Sequence, residues 1–185
     1  MGEAPDHIVL VETEEDVARL DIPDPDRVAY VSQTTLSVDE TRTIIARLRE
    51  RFPHITGPRT DDICYATTNR QAAVRQMAEH CDLVLVIGSK NSSNSNRLVD
   101  VARDHGAASY LIDGADQVRE EWLDGARVVG ISSGASAPEE LVDNLVAFFR
   151  DRGTTDVSEF EVLREDVRFM LPKQIRQAMT AAADA

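Results

Sequence analysis

Apolar and polar positions follow two rhythms along this chain. Ile8-Val9-Leu10-Val11 and Val28-Ala29-Tyr30-Val31 are short, β-branched-rich runs and predict strands. Between them, Thr13-Glu14-Glu15-Asp16 has the form of a capping box and opens a helix to about Leu20. Pro23 and Pro25 mark residues 21–26 as a loop. Ser37-Val38-Asp39-Glu40 is a second capping box, and Ile44, Ile45 and Leu48 then share one helical face to about Arg51. Residues 52–62 hold Pro53, Gly57 and Pro58 and predict a hinge. A helix capped by Thr67 or Thr68, with Gln71 three residues beyond the latter, follows to about His80.

The second half is more regular. Leu83-Val84-Leu85-Val86-Ile87 is continuously apolar, as in a parallel strand covered on both faces. A helix carrying Leu98, Val99 and Ala102 ends near His105-Gly106, and Ser109-Tyr110-Leu111-Ile112 predicts a strand. A short helix over residues 115–122 and a strand at Arg127-Val128-Val129-Gly130-Ile131 come next. Pro138 suits the first turn of a helix bearing Leu141, Val142, Leu145, Val146 and Phe149. Strand and helix alternate throughout, which predicts an α/β fold with parallel sheets. The expected organisation is two small lobes of parallel sheet flanked by helices, residues 1–60 and 61–150, with a tail at 151–185. In that tail Phe160 to Leu163 and Val167 to Leu171 read as extended, and residues 178–185 as a frayed end.

Composition narrows the function. Of 185 residues, 20 are Lys or Arg and 33 are Asp or Glu, a formal charge of −13 that argues against a nucleic-acid or anionic-membrane surface. Aromatic residues are 5%, too few for base-stacking platforms. The longest apolar run, at residues 83–87, is far short of the ~20 residues of a membrane span, and the first residues lack the basic-then-apolar pattern of a signal peptide, so none is expected there. Cys64 and Cys81 cannot make a disulfide scaffold, so a reducing, cytoplasmic setting is expected.

Three strands empty into loops rich in Ser, Thr, Asn and Gly, at residues 32–37, 88–95 and 132–137. Ligands of open α/β sheets sit beyond the carboxyl ends of strands, where helix N-termini offer unpaired N–H groups to an anion. Together the loops point to a phosphate or diphosphate. Turn and cap chemistry explains part of this, but Ser92-Ser93-Asn94-Ser95 exceeds what one cap needs. Cys64 stands just before a helix, where the dipole favours a thiolate suited to nucleophilic attack or metal binding. A small buried hydrophobe is the competing reading, and composition leaves both open. Cys81 ends a helix and reads as core. His7, His54, His80 and His105 form no metal-ligand spacing. The charge runs at residues 12–16 and 119–121 read as solvated faces.

Longer strings are more specific. Asp61-Asp62-Ile63-Cys64-Tyr65-Ala66-Thr67-Thr68-Asn69-Arg70-Gln71 and Gly88-Ser89-Lys90-Asn91-Ser92-Ser93-Asn94-Ser95 resemble two signatures of the LytB family of 4-hydroxy-3-methylbut-2-enyl diphosphate reductases. Gln33-Thr34-Thr35-Leu36-Ser37 and Gly134-Ala135-Ser136-Ala137-Pro138 resemble two more, in the same order. The resemblance runs from Met1 to about Gln177. It implies reductive dehydroxylation of 4-hydroxy-3-methylbut-2-enyl diphosphate to isopentenyl and dimethylallyl diphosphate, the last step of the non-mevalonate isoprenoid pathway. The electrons would come from ferredoxin or flavodoxin and pass through a [4Fe–4S] cluster held by three cysteines. Residue by residue, the resemblance makes Cys64 one cluster ligand and sets Thr34 near the substrate hydroxyl. It gives Ser92, Ser93, Asn94 and Ser136 to the diphosphate.

The resemblance also implies a gap. The family's first lobe, with two cluster cysteines, three diphosphate-binding histidines and a proton-donating glutamate, has no counterpart here. Met1-Gly2-Glu3 resembles the continuation of the motif bearing that glutamate, so the expectation is an internal Met1 and a truncated chain. One cysteine cannot hold a four-iron cluster. The polypeptide alone is therefore expected to retain no cluster and reduce no substrate, with a mobile tail and an exposed apolar face. Two other readings remain. One is a phosphosugar-binding or isomerase-type α/β module, for which Cys64 would be dispensable. The other is a non-catalytic remnant that binds anions or a partner lobe.

Overall fold

The computed structural model describes residues 7–58 and 62–160. The chain is α/β, and its centre is a three-stranded parallel sheet of β1 (Leu83–Ile87), β2 (Ala108–Ile112) and β3 (Val129–Ser133) in the order β2-β1-β3. β1 lies in the middle, with all five residues buried. Its side chains alternate between two cores, as strand geometry requires. Val84 and Val86 meet α3 (Tyr65–Ala78) and α4 (Ser93–Asp104) through Val74, Leu98 and Ala102. Leu83, Leu85 and Ile87 face the other way, onto Leu145 and Phe149 of α6 (Glu139–Asp151) and Trp122 of α5 (Glu120–Leu123). Each such side chain contributes about 1.5–3 kcal/mol by leaving water. A strand sandwiched in this way has no polar face, which is why its sequence reads as an unbroken apolar run.

The N-terminal part is helical and smaller. α1 (Glu14–Arg19) begins at Thr13, whose hydroxyl accepts from Asp16 N–H while the Asp16 carboxylate accepts from Thr13 N–H at 2.9 Å. α2 (Val38–Arg51) begins at Ser37, whose Oγ accepts from Glu40 N–H. Val17, Leu48 and Phe52 form the core between them, and Glu14 pairs with Arg47 at 2.8 Å. The strands expected at residues 8–11 and 28–31 are absent. The second segment makes one parallel bridge instead, Ala29 with Thr56, in which Tyr30 N–H donates to Thr56 C=O and Thr56 N–H to Val28 C=O, each at 2.9 Å. Ile8, Val9 and Leu10 have no partner strand among the described residues and stay exposed. A strand without a ladder gains nothing from its β propensity.

Other boundaries differ modestly. The helix expected over residues 115–122 is split into a 3₁₀ turn at Ala115–Gln117 and α5. β3 starts later than expected and includes Ser132 and Ser133. The expected hinge is partly ordered, since Phe52 is core and Thr56 carries the bridge. The extended pieces expected past Phe160, the frayed end and Met1-Gly2-Glu3 lie outside the described residues.

Candidate functional site

Strand order places the site. β1 hands the chain to α4 on one face of the sheet, and β3 hands it to α6 on the other. The loops leaving these two neighbouring strands therefore part company, and the crevice between them is where open α/β sheets bind ligands. α3 runs into β1 from the opposite direction, so its N-terminus reaches the same edge of the sheet.

The two loops are keyed together by one side chain. Gly88 N–H donates to Ile112 C=O at 2.9 Å and Gly134 N–H to Ile87 C=O at 2.8 Å, extending the ladder past the strand ends. Ser92 caps α4. Its Oγ accepts from Ser95 N–H at 3.2 Å and from the Ser95 hydroxyl at 2.9 Å. Ser95 is buried against both glycines. A Cβ at Gly88 would lie 2.2 Å from Ser95 Oγ, and one at Gly134 would lie 2.3 Å from it. Neither loop could close on α4 with a larger residue there.

Asn94 is 7% exposed, and neither its Oδ1 nor its Nδ2 has a hydrogen-bond partner. A buried amide left unpaired costs about 1–3 kcal/mol and needs an explanation. It stands in the first turn of α4, where a helix leaves its first backbone N–H groups without partners inside the helix. That turn holds no acidic residue, although α1, α2 and α6 each carry two or three in theirs. In a chain with 33 carboxylates, an N-terminus left open is an invitation to an external anion. The α6 N-terminus is less suitable, because Glu139 and Glu140 already answer its dipole. Ser93, at the start of α4, and Ser136, in the loop after β3, are both exposed.

The first turn of α3 also lacks an acid, and its N-cap is Cys64 itself, not Thr67 or Thr68. The Thr67 hydroxyl lies 3.1 Å from Cys64 Sγ. That hydrogen bond, helped by the N–H groups of Thr67 and Ala66 and by the Arg70 charge, holds the thiol below its usual range, with burial opposing. Cys64 N–H donates to Thr34 C=O at 3.2 Å, which brings the exposed Thr34 to the same place. Gln71 does not cap the helix. It is buried and reaches Leu36 C=O and Val38 N–H across the loop that bears Thr34.

The expected residues thus fall into two groups at one edge: Cys64 with Thr34, and Ser92, Ser93 and Asn94 with the loop of Ser136. Cys81 is elsewhere. It follows α3, whose 14 residues span ~21 Å, so the two thiols stand at opposite ends of that helix. Burial pushes the Cys81 thiol up, with the Asp82 charge adding to the effect. His80 and His105 lie beyond the C-termini of α3 and α4, and the His105 ring nitrogen Nδ1 is 2.9 Å from Val101 C=O. No group of three or more His, Cys, Asp or Glu suited to a metal ion exists among the described residues. No helix among them is long and apolar enough to cross a membrane. Sequence reasoning named Thr67 only as a helix cap and Ser95 only as part of the anion loop, and so missed the contact of Thr67 with Cys64 and the packing of Ser95 against Gly88 and Gly134. The glycines at positions 88 and 134, each just past a strand, were the available signal for Ser95.

Comparison with known proteins gives a consistent result. A family model described as LytB protein matches residues 1–150. The chain is 50% identical over 184 residues to a 4-hydroxy-3-methylbut-2-enyl diphosphate reductase of Leifsonia xyli, covering 99% of this chain and 55% of the relative. It is 53% identical over 178 residues to the reductase of that name from Neisseria meningitidis, covering 96% and 55%. A solved structure of the E-1-hydroxy-2-methyl-but-2-enyl-4-diphosphate reductase from Plasmodium falciparum superposes with a TM-score of 0.85 at 32% identity, covering 98% of this chain and 57% of that one. The chain spans about half the length of the curated relatives it matches.

Proposed function

The chain belongs to the LytB protein family, and we propose that it contributes the diphosphate-binding half of a 4-hydroxy-3-methylbut-2-enyl diphosphate reductase. The observation that carries this is the buried, unpaired amide of Asn94 in an acid-free helix N-terminus at the strand switch point. Its Nδ2 hydrogens and the first N–H groups of α4 are donors for phosphate oxygens, and the hydroxyls of Ser93 and Ser136 add to them from either side of the crevice. Ser92 contributes while capping the helix. Thr34 stands beside the reacting hydroxyl of the substrate, held there through Cys64 N–H.

The reaction removes that hydroxyl with two electrons and yields isopentenyl and dimethylallyl diphosphate, closing the non-mevalonate route. Ferredoxin or flavodoxin supplies the electrons. In the family's [4Fe–4S] cluster Cys64 is one thiolate, and its lowered pKa suits that place. The described residues do not complete such a cluster, because no group of three or more His, Cys, Asp or Glu suited to a metal ion exists among them. The residues 1–60 and 61–150 act as two lobes around the site, with 151–185 as a tail.

Titration of this polypeptide with inorganic diphosphate tests the anion site. Binding is expected in the wild type and lost in Asn94→Leu. The same change should raise the unfolding free energy without ligand by about 1–3 kcal/mol, because it removes two unpaired buried polar atoms. A wild type that does not bind diphosphate, or an Asn94→Leu variant that still does, refutes the assignment.

A further inference from the structure

The loop bearing Thr34 is fastened to the start of α3 at every second residue. Ser32 N–H donates to Asp62 Oδ2 at 2.5 Å. Thr34 C=O accepts from Cys64 N–H at 3.2 Å. Leu36 C=O accepts from Gln71 Nε2 at 2.8 Å, and Val38 N–H donates to Gln71 Oε1 at 3.0 Å. The loop runs along its neighbour like a strand on a ladder, yet the neighbour is a helix. A helix cannot offer its own backbone for this, because its N–H and C=O groups beyond the first turn are spent internally. Gln71, two turns into α3, supplies the missing amide with its side chain. One donor and one acceptor on a planar group imitate a peptide unit.

We infer that Gln71 is a positioning residue, which holds the Thr34 loop in register on the helix that carries Cys64. The inference rests on the reading that Thr34 and Cys64 serve one site. Gln71 is 1% exposed, so both of its hydrogen bonds form away from water and both are costly to lose. Its bonds straddle Ser37, the cap of α2, and so fix where that helix begins. The ion pair of Asp39 with Arg75 lies on the same contact, and that of Glu40 with Arg97, at 3.0 Å, joins α2 to α4; both are partly exposed and contribute less. Without Gln71 the loop keeps its tether at Ser32, while the bond from Cys64 N–H to Thr34 C=O is left to hold the rest by itself and opens more often.

Residue-resolved amide exchange on this chain tests the inference. Gln71→Met keeps helix propensity and approximate volume but loses both bonds. It should speed exchange at Val38 and Cys64 about tenfold or more while β1 amides keep their protection. Gln71→Glu keeps the acceptor, so Val38 should stay protected. Val74→Ala, which weakens the core side of the same helix, should lower thermal stability without changing Val38 exchange relative to β1. Val38 and Cys64 amides that exchange in Gln71→Met as in the wild type, or that rise only in step with β1, overturn the inference. Diphosphate titration of the same samples separates it from the functional reading. Gln71→Met should bind diphosphate as the wild type does, because the anion donors sit on α4 and in the loop of Ser136, away from Gln71. Failure of the wild type to bind refutes the functional reading, while the exchange data judge Gln71's hold on the loop.

Discussion

A sulfur atom at a helix N-cap is a poor cap and a good anion. Cys64 accepts that trade, and Thr67 makes it work by placing a hydroxyl 3.1 Å from the sulfur. A hydrogen bond to the charged form favours that form, so removing it must raise the pKa. In a Cys81→Ala background, Thr67→Val is expected to move the pH midpoint of Cys64 alkylation upward. An unchanged midpoint would assign the lowered pKa to the helix terminus alone. At neutral pH Cys64 should label ahead of Cys81, whose thiol is pushed up by burial. Cys64 and the serine-rich loop were legible in the sequence, because a residue type at a helix start carries its chemistry locally. Thr67 was legible only as a cap candidate, because its true partner depends on where the helix begins. Gln71 was misread for a different reason: its partners lie 33 and 35 residues away.

Elements meet most tightly where α4 enters between the loops after β1 and β3. The two glycines there are not equivalent, and a double-variant experiment separates them. Gly88→Ala and Gly134→Ala should each cost about 1–3 kcal/mol and weaken diphosphate binding, because the new methyl collides with Ser95. Adding Ser95→Ala should relieve the strain at position 134, where Ser95 Cβ lies 3.6 Å from the new Cβ. It should not relieve position 88, where that distance is 2.6 Å. Chemical denaturation of the four variants reads this out, and equal rescue at both sites would contradict the packing.

At the other edge Asp82 gathers the strand starts. Its carboxylate accepts from Arg127 N–H at 2.9 Å and Val128 N–H at 3.0 Å, which holds it below the usual carboxylate range. The ionised form is the one bound, so its stabilisation is present above the ordinary Asp range and fades as pH falls through the depressed value. Denaturation midpoints measured from about pH 5 to pH 2 should fall less steeply in Asp82→Asn than in the wild type. The regular half of the fold was legible because β1, α4 and α6 each carry their own periodicity. The first half was not, because residues 8–11 look like a strand but find no ladder.

At the scale of the whole molecule, net charge and surface apolarity oppose each other. Ile8, Val9, Leu10 and Val31 are 52–86% exposed, apolar surface on a chain of charge −13. Mutual repulsion should keep the chain dispersed at pH 7 and low salt. Light scattering should show self-association as pH approaches 4.7 or as salt screens the charge, and Leu10→Lys should suppress it. Association that ignores both pH and salt would place the sticky surface elsewhere.

The strand order also sets a sequence of events in time. β1 can pair with β2 after closing a short crossover, but its pairing with β3 must wait for a segment 46 residues further along the chain. Longer loops close later and at greater entropic cost. The crevice needs both loops, so it comes into existence only with that last closure. A diphosphate that touched both sides, as proposed, would be bound by the finished sheet and by nothing earlier. On the proposed anion-binding reading it would hold β3 in place, and diphosphate should slow unfolding.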